Sequence, residues 1–263
     1  MEGKTYLKIT NKNRTHKGYT YSVGWNEVPD EEWNPSGDCE GGGFYVADGV
    51  NIYNFLEYGD CFMRVFVPDG TPVYENPGYP KKLKIKGGHF SNNLPLEKLW
   101  EEVEKSEALE VEGCLDLKGT SITELPNNLK VEGSLDLSET SIKKLPDKLT
   151  VGGGLNLRGT SITKLPDNLT VGGGLDLRET SIKKLPDKLT VGGDLNLEGT
   201  SITKLPDNLK VGGNLYLSGT SITKLPDNLK VGGNLYLSGT SITKLPDNLK
   251  VGGSIIGFSL ADD

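Results

Sequence analysis

From Val111 onward the chain carries one hydrophobic pattern that returns every twenty residues, seven times without a gap. Ten positions never change across the seven copies, exemplified by Val151, Gly153, Leu155, Leu157, Thr160, Ser161, Ile162, Leu165, Pro166 and Leu169. Six of them are aliphatic and require burial. Leu155 and Leu157 are spaced by two, the period of one strand face, and the alternation runs back through Gly153 and Val151 to Leu149. A helix would have to continue through Pro166, which lacks an N–H and whose ring clashes with the preceding turn. The pattern therefore predicts coils of short strands and turns, without helix, stacked into a solenoid over 111–250. At about 4.8 Å per strand, seven coils make a rod on the order of 34 Å long. Stacking Leu on Leu and Ile on Ile contributes very roughly 1.5–3 kcal/mol per aliphatic before chain entropy is subtracted.

The polar positions of the repeat suggest how each coil turns. Gly152–Gly153 permits a tight corner or a positive φ. Pro166 sets φ where the coil reverses and needs no donor. Thr160 occupies an internal corner, where its hydroxyl is expected to bond the backbone of the adjacent coil. After the last full copy, Ser254-Ile255-Ile256-Gly257-Phe258 breaks the pattern. Residues 251–263 read either as a degenerate capping coil or as an edge for self-association.

Before Val111 the pattern is irregular. Thr5–Thr10 predicts a strand, with Tyr19–Trp25 as its partner across a polar loop. Pro29–Gly43, rich in Pro, Gly, Asp and Glu, predicts a surface loop. Phe44–Ala47 and Cys61–Val67 predict strands, and Val50, Tyr53, Phe55 and Leu56 a short amphipathic helix ending near Gly59. Lys82–Lys86 alternates lysines with Leu83 and Ile85, as an edge strand does. Pro95 opens a helix that places Leu96, Leu99, Trp100 and Val103 on one face, suited to covering the first coil. All three tryptophans and nearly all other aromatics precede residue 101. This shift separates an α+β domain over 1–93, of roughly five strands and two helices, from a capping helix and linker over 94–110.

Two resemblances attach to this first domain. The stretch NPSGDCEGGGFYVADGVNIYNFLEYG, Asn34 to Gly59, is similar to a segment of the N-terminal domains of giant-virus repeat proteins. There the domain commonly precedes ankyrin-type repeats; here no ankyrin motif follows. The resemblance implies a viral repeat protein, in the virion or the infected cell. The shorter run GGGFYVAD, Gly41 to Asp48, resembles the glycine–aromatic–Tyr strand of ADP-ribosyltransferases. That family pairs such a strand with a His, a stacking Tyr and a catalytic Glu to hold NAD. The resemblance casts His16, Tyr45 and Glu75 in those roles, although Lys17 stands where the family's His-Gly pair has glycine.

The repeat region resembles leucine-rich repeat proteins, most closely the short repeats of bacterial effectors. Leu155 to Pro166, LNLRGTSITKLP, matches the LxLxxNxLxxLP core with Thr160 for Asn and Ile162 for Leu. Glycine at Gly152, and the added alternation of Leu149 and Val151, depart from that family. They leave two shapes open: a smooth horseshoe, or a flatter β-solenoid with a second strand at Leu149–Val151.

Charge narrows the choice of partner. The net charge is −7; from Val111 there are 17 basic against 18 acidic residues, before it 12 against 18. Neither part is basic, which argues against nucleic-acid binding through phosphates. No apolar run approaches the ~18 residues of a membrane span, and the N-terminus lacks a secretory apolar core. An intracellular protein is expected. Cys39, Cys61 and Cys114 show no metal-ligand spacing, and pairing of Cys39 with Cys61 stays open. His16 and His89 are isolated, so neither a metal site, a cofactor nor a catalytic residue is assigned.

Stacking turns repeat positions into surface columns. Lys144 to Lys244 and Asp147 to Asp247 form two charged columns three residues apart, readable as a solvated face or as a site for a polyanion or metals. The outward positions of the Leu-x-Leu strand vary more. One column runs Asp116, Asp136, Asn156, Asp176, Asn196, Tyr216, Tyr236, and beside it lie Arg158 and Arg178. Leucine-rich repeat proteins bind partners on this face, so these residues are the candidate protein-binding site. A non-enzymatic repeat protein, acting in protein binding or as a structural component, is the function expected. The alternative is an ADP-ribosyltransferase-like first domain with the solenoid as substrate reader.

Overall fold

In the computed structural model, described for residues 2–16, 19–34, 43–47, 49–59, 61–75, 82–95, 98–103, 110–111, 113–120 and 122–258, the protein is mostly β. It divides into two compact units, Met1–Leu109 and Glu110–Asp263.

The first unit is an antiparallel sheet with little helix. Its strands are β1 (Gly3–Thr10), β2 (Thr15–His16), β3 (Tyr19–Thr20), β4 (Gly24–Glu27), β5 (Phe44–Ala47), β6 (Cys61–Pro68), β7 (Val73–Glu75), β8 (Lys82–Ile85), β9 (Gly87–Phe90) and β10 (Leu94–Pro95). The main sheet runs β4-β9-β6-β1-β5-β8-β7, with β10 also on β6. β8 and β9 are separated by Lys86 alone, yet β8 pairs with β5 and β9 with β6. One kinked stretch thus joins the two arms of the sheet. Phe44 on β5 and Phe90 on β9 are three strand spacings apart along the sheet, about 14 Å if it were flat. Their rings meet at 5.5 Å, so the sheet curls around its core. Tyr21, Phe44, Val46, Met63, Val65, Ile85 and Phe90 fill that interior. The other face of β1 and β6, with Ile9 and Phe62, is buried on the side of a 3₁₀ helix over Gly49–Tyr58, whose Ile52 and Leu56 are buried, and α1 (Leu99–Val103) lies against that helix.

Several expectations are corrected here. Tyr19–Trp25 is not the partner of the first strand. Tyr19–Thr20 pairs with β2, Gly24–Glu27 pairs with β9, and β1 pairs along its whole length with β6. The helix expected around Val50 to Leu56 is present, over Gly49–Tyr58, and is of the 3₁₀ type. Lys82–Ile85 is not an edge strand but lies between β5 and β7. Lys82 and Lys84 are buried, Lys84 completely. Their ammonium groups lie 4.7 and 5.6 Å from the Tyr45 ring centre, a cation–π environment that alternation cannot distinguish from solvent. Lys8 is buried as well, and its Nζ donates to the Tyr45 carbonyl at 3.0 Å. Cys61 is buried; Cys39, and most of the Asn34–Gly43 loop, lie outside the described residues.

The second unit is a parallel β-solenoid. One sheet of eight two-residue strands runs from Glu110–Val111 to Lys250–Val251, a second from Leu115–Asp116 to Ile255–Ile256. Each strand pairs in register with its copy one coil away, Val151 on Val171 and Leu155 on Leu175 for example. The second strand of the coil, open from the sequence, therefore exists, at Thr150–Val151. The invariant Val, Leu and Ile positions form the buried column; Leu157, Ile162, Leu197 and Ile202 have no exposed surface.

Two turn assignments change. Gly152 and Gly153 do not have a positive φ; a Cβ on Gly173 would sit 2.7 Å from the Gly153 carbonyl carbon, so close stacking of coils requires glycine at this invariant position, whereas the position before it accommodates Glu132 in an earlier coil. The positive φ falls seven residues later, at Gly159 (φ 70°) and its equivalents, and at Glu139 and Glu179 (φ 60° and 59°). Thr160 does not reach the adjacent coil. Its Oγ1 donates to the Leu157 carbonyl of its own coil at 2.7 Å, and Thr140, Thr180, Thr200 and Thr220 do likewise. A three-residue reversal brings that carbonyl back to the hydroxyl before any neighbouring coil comes into range.

Candidate functional site

The candidate residues all lie on the outward face of the Leu-x-Leu sheet, where the two leucines of each strand point inward and the residue between them points out. Parallel pairing in register stacks that residue along the solenoid. The structure brings the predicted column together, and it shows that most of its members have local partners.

Asp116, Asp136, Asn156, Asp176 and Asn196 each use one side-chain oxygen to accept the backbone N–H two residues ahead, at 2.8–3.1 Å. This Asx turn ends the strand and explains why the position favours Asp or Asn. Asn156 also donates Nδ2 to Asp136 across one coil at 3.1 Å. The two arginines are engaged too. Arg178 grips Asp176 through Nη2 at 2.6 Å and Nε at 3.0 Å, and this hydrogen bonding holds its pKa above the usual arginine value. Arg158 donates Nε and Nη2 to Glu179 of the next coil. The charge of both arginines is thus neutralised by neighbouring carboxylates.

Tyr216 and Tyr236 differ. They stack on one another with ring centres 4.6 Å apart and planes 9° from parallel. Asn214 and Asn234 donate Nδ2 to their hydroxyls at 3.3 and 3.4 Å. Burial raises the Tyr216 phenol pKa first, with Asp194 and Tyr236 adding to it. Both rings are half-buried, so their edges and hydroxyls form a preset amphipathic ridge.

A neighbouring column escaped the sequence reading: Cys114, Ser134, Gly154, Gly174, Asp194, Asn214, Asn234 and Ser254. Where a side chain is present, its polar atom accepts the N–H of the same position one coil on. Cys114 accepts from Ser134, Ser134 from Gly154, Asp194 from Asn214, Asn214 from Asn234, and Asn234 from Ser254. The one available signal was that no other repeat position varies as widely, which looks like drift when read without coordinates.

The residues cast as an NAD site are not assembled in the way that resemblance implies. His16 lies on β2, in a separate two-stranded ribbon. Tyr45 is paired with Lys84, and Glu75 with Leu83, the adjacent register position, so Tyr45 and Glu75 point to opposite faces of one sheet. Of the charged columns, Lys184 and Asp187 form an exposed ion pair at 3.7 Å, which contributes little to stability. Among the described residues no three His, Cys, Asp or Glu side chains converge as metal ligands. No helix among them is long and apolar enough to cross a membrane.

No protein-family model matches the chain. A protein of Acanthamoeba polyphaga mimivirus whose name assigns it ankyrin repeats is 34% identical over 76 residues, which is 28% of this chain and 37% of the relative. An uncharacterized protein of the same virus is 30% identical over 91 residues, 34% of this chain and 64% of the relative. The chain spans less than two thirds of the length of either. A connection to giant-virus proteins is supported, and the solenoid is that of a repeat protein.

Proposed function

We propose that the chain is a non-enzymatic binding protein whose solenoid engages a protein partner through its outward strand face, centred on Tyr216 and Tyr236. The stacked tyrosine pair carries this reading. Its rings are held by the strand ladder and by Asn214 and Asn234, so little ordering entropy remains to be lost on contact. Tyrosine is a common energetic anchor of protein interfaces. The similarity to a mimivirus protein named for ankyrin repeats supports this reading. A location inside the infected cell or in the virion follows from the same proposal, as does a leucine-rich-repeat type of recognition.

The test is capture from native extract, identification of the captured protein, and titration of it against variants. Tyr216→Ser with Tyr236→Ser is expected to keep the fold and to weaken binding by one to a few kcal/mol, the usual loss for an aromatic anchor. Lys224→Ser with Lys244→Ser is the control on another face. Loss of binding in the lysine variant alone would move the site to the charged column.

Self-association is a second reading with its own observation. Ile255 and Ile256 of the last described strand are 37% and 39% exposed, while Leu235, the residue paired with Ile255, is buried. Concentration-dependent sedimentation that disappears in Ile255→Lys with Ile256→Lys supports it; a monomer at all concentrations removes it.

A further inference from the structure

The side-chain ladder beside the tyrosines is interrupted at two consecutive coils, Gly154 and Gly174. Neither glycine has an oxygen to offer the coil that follows. The amides of Gly174 and Asp194, which would donate to that oxygen, have no acceptor among the described residues. Neither glycine has a positive φ. A Cβ built on Gly154 would meet nothing closer than 3.4 Å, and one on Gly174 would lie 3.2 Å from the Asp194 carbonyl oxygen, which must give slightly to admit it. A side chain can therefore be added at both rungs with little backbone adjustment. The result is a trough floored by Gly154 and Gly174 and flanked by Asp136, Asn156, Asp176 and Asn196, with Tyr216 at one end.

We infer that this trough is a binding site for a neutral, hydroxyl-rich ligand, a glycan. The chemistry of its groups selects that class. The two amides only donate, and they lie one strand spacing apart, about 4.8 Å. The Asp136 and Asp176 carboxylates beside them only accept. Asn156 and Asn196 do both. An anion would meet those carboxylates together with Asp194, and no lysine lines the trough; of the cations nearby, Arg178 is bound to Asp176 and Arg158 to Glu179. An ammonium group could satisfy the carboxylates but would leave both amides unmet. A hydroxyl accepts from an amide through its oxygen and donates its proton to a carboxylate, and a sugar ring holds several at fixed spacing. A carboxamide side chain also does both, but presents a single such group on a flexible stem. Stacking on Tyr236 takes up one face of the Tyr216 ring, so its hydroxyl and its other face remain at the end of the trough, where a sugar ring can lie against it. The site goes beyond binding of a protein partner and does not depend on it.

The experiment uses the full chain on an array of neutral and acidic glycans, followed by calorimetric titration of the best neutral binder. An Asn- and Gln-rich peptide serves as the competing carboxamide probe. The decisive variant is Gly154→Asn with Gly174→Asn, which supplies the missing rungs with the residue present at Asn214 and Asn234. It is expected to fold and to reduce glycan affinity at least about tenfold, the loss of two hydrogen bonds to the ligand. Tyr216 and Tyr236 are untouched by this variant, so a protein partner held by them is retained, which separates failure of this inference from failure of the partner assignment. The inference is overturned if no neutral glycan binds, if only sulfated or sialylated glycans bind, if the peptide binds and the glycans do not, or if the folded double-asparagine variant binds as tightly as the native chain.

Discussion

The two units solve the problem of burying apolar surface in opposite ways. In the first, strands distant in sequence are brought together: β1 pairs with β6 along its full length, and rings from β5, β9 and Tyr21 meet in one interior. The central strands there depend on elements far along the chain. In the second, every strand pairs with its copy twenty residues away, and the same six aliphatics stack on themselves. A core of the first kind fails as a whole when one strand is lost. A core of the second kind is a sum of similar nearest-neighbour steps. The difference also separates where variation is tolerated. In the curled sheet even lysines are committed to the interior, whereas the solenoid leaves whole columns free to change without disturbing the stack.

The strongest test of that contrast removes whole elements. Deletion of Gly3–Thr10 is expected to unfold the first unit outright, seen as loss of near-ultraviolet circular dichroism, since the aromatic core sits there. Deletion of Val211–Lys230, a copy identical to the next, is expected to leave a folded solenoid one coil shorter. A global collapse after removing the coil would show that the repeats do not behave as additive steps.

Single truncations probe the same point at smaller scale. Leu197 is fully buried, and Leu197→Ala is expected to cost about 2–5 kcal/mol. Hydrogen exchange should quicken mainly in the coils on either side. Ile255 occupies the equivalent of a buried leucine but is 37% exposed, so Ile255→Ala is expected to cost about 1 kcal/mol or less. Equal costs at the two positions would contradict the view that burial comes only from adjacent coils.

The smallest expected effect is a gain. Glu139 adopts φ 60° where most copies have glycine. A left-handed conformation in a residue with a Cβ costs roughly 1–2 kcal/mol, and its ion pair with Lys118 at 3.5 Å is exposed and returns little. Glu139→Gly should therefore raise the denaturation midpoint by about 1 kcal/mol of stability. An unchanged or lower midpoint would mean that the ion pair or unfolded-state entropy outweighs the backbone strain.

What was readable from the residues alone was whatever depends on spacing. The coil, its Leu-x-Leu strand, the absence of helix and the outward column of Asp116 to Tyr236 all follow from a period of two inside a period of twenty, because stacking places identical residues against each other. The strand order of the first unit was not readable. Pairing of β1 with β6 and closure through the β8–β9 kink depend on contacts between distant residues, for which an irregular pattern carries no register. Lys82 and Lys84 looked solvent-facing because alternation reports two faces and not which face is covered. The same holds for the outward strand face. Its column of residues was legible, but the commitment of Arg158 and Arg178 to carboxylates, and of the Asx oxygens to their own turns, is decided by distances across and within coils. The gap at Gly154 and Gly174 is the sharpest case. In the sequence they are two more glycines in a glycine-rich repeat; only the stacked backbone shows that each stands where a neighbouring coil has the oxygen that receives an amide.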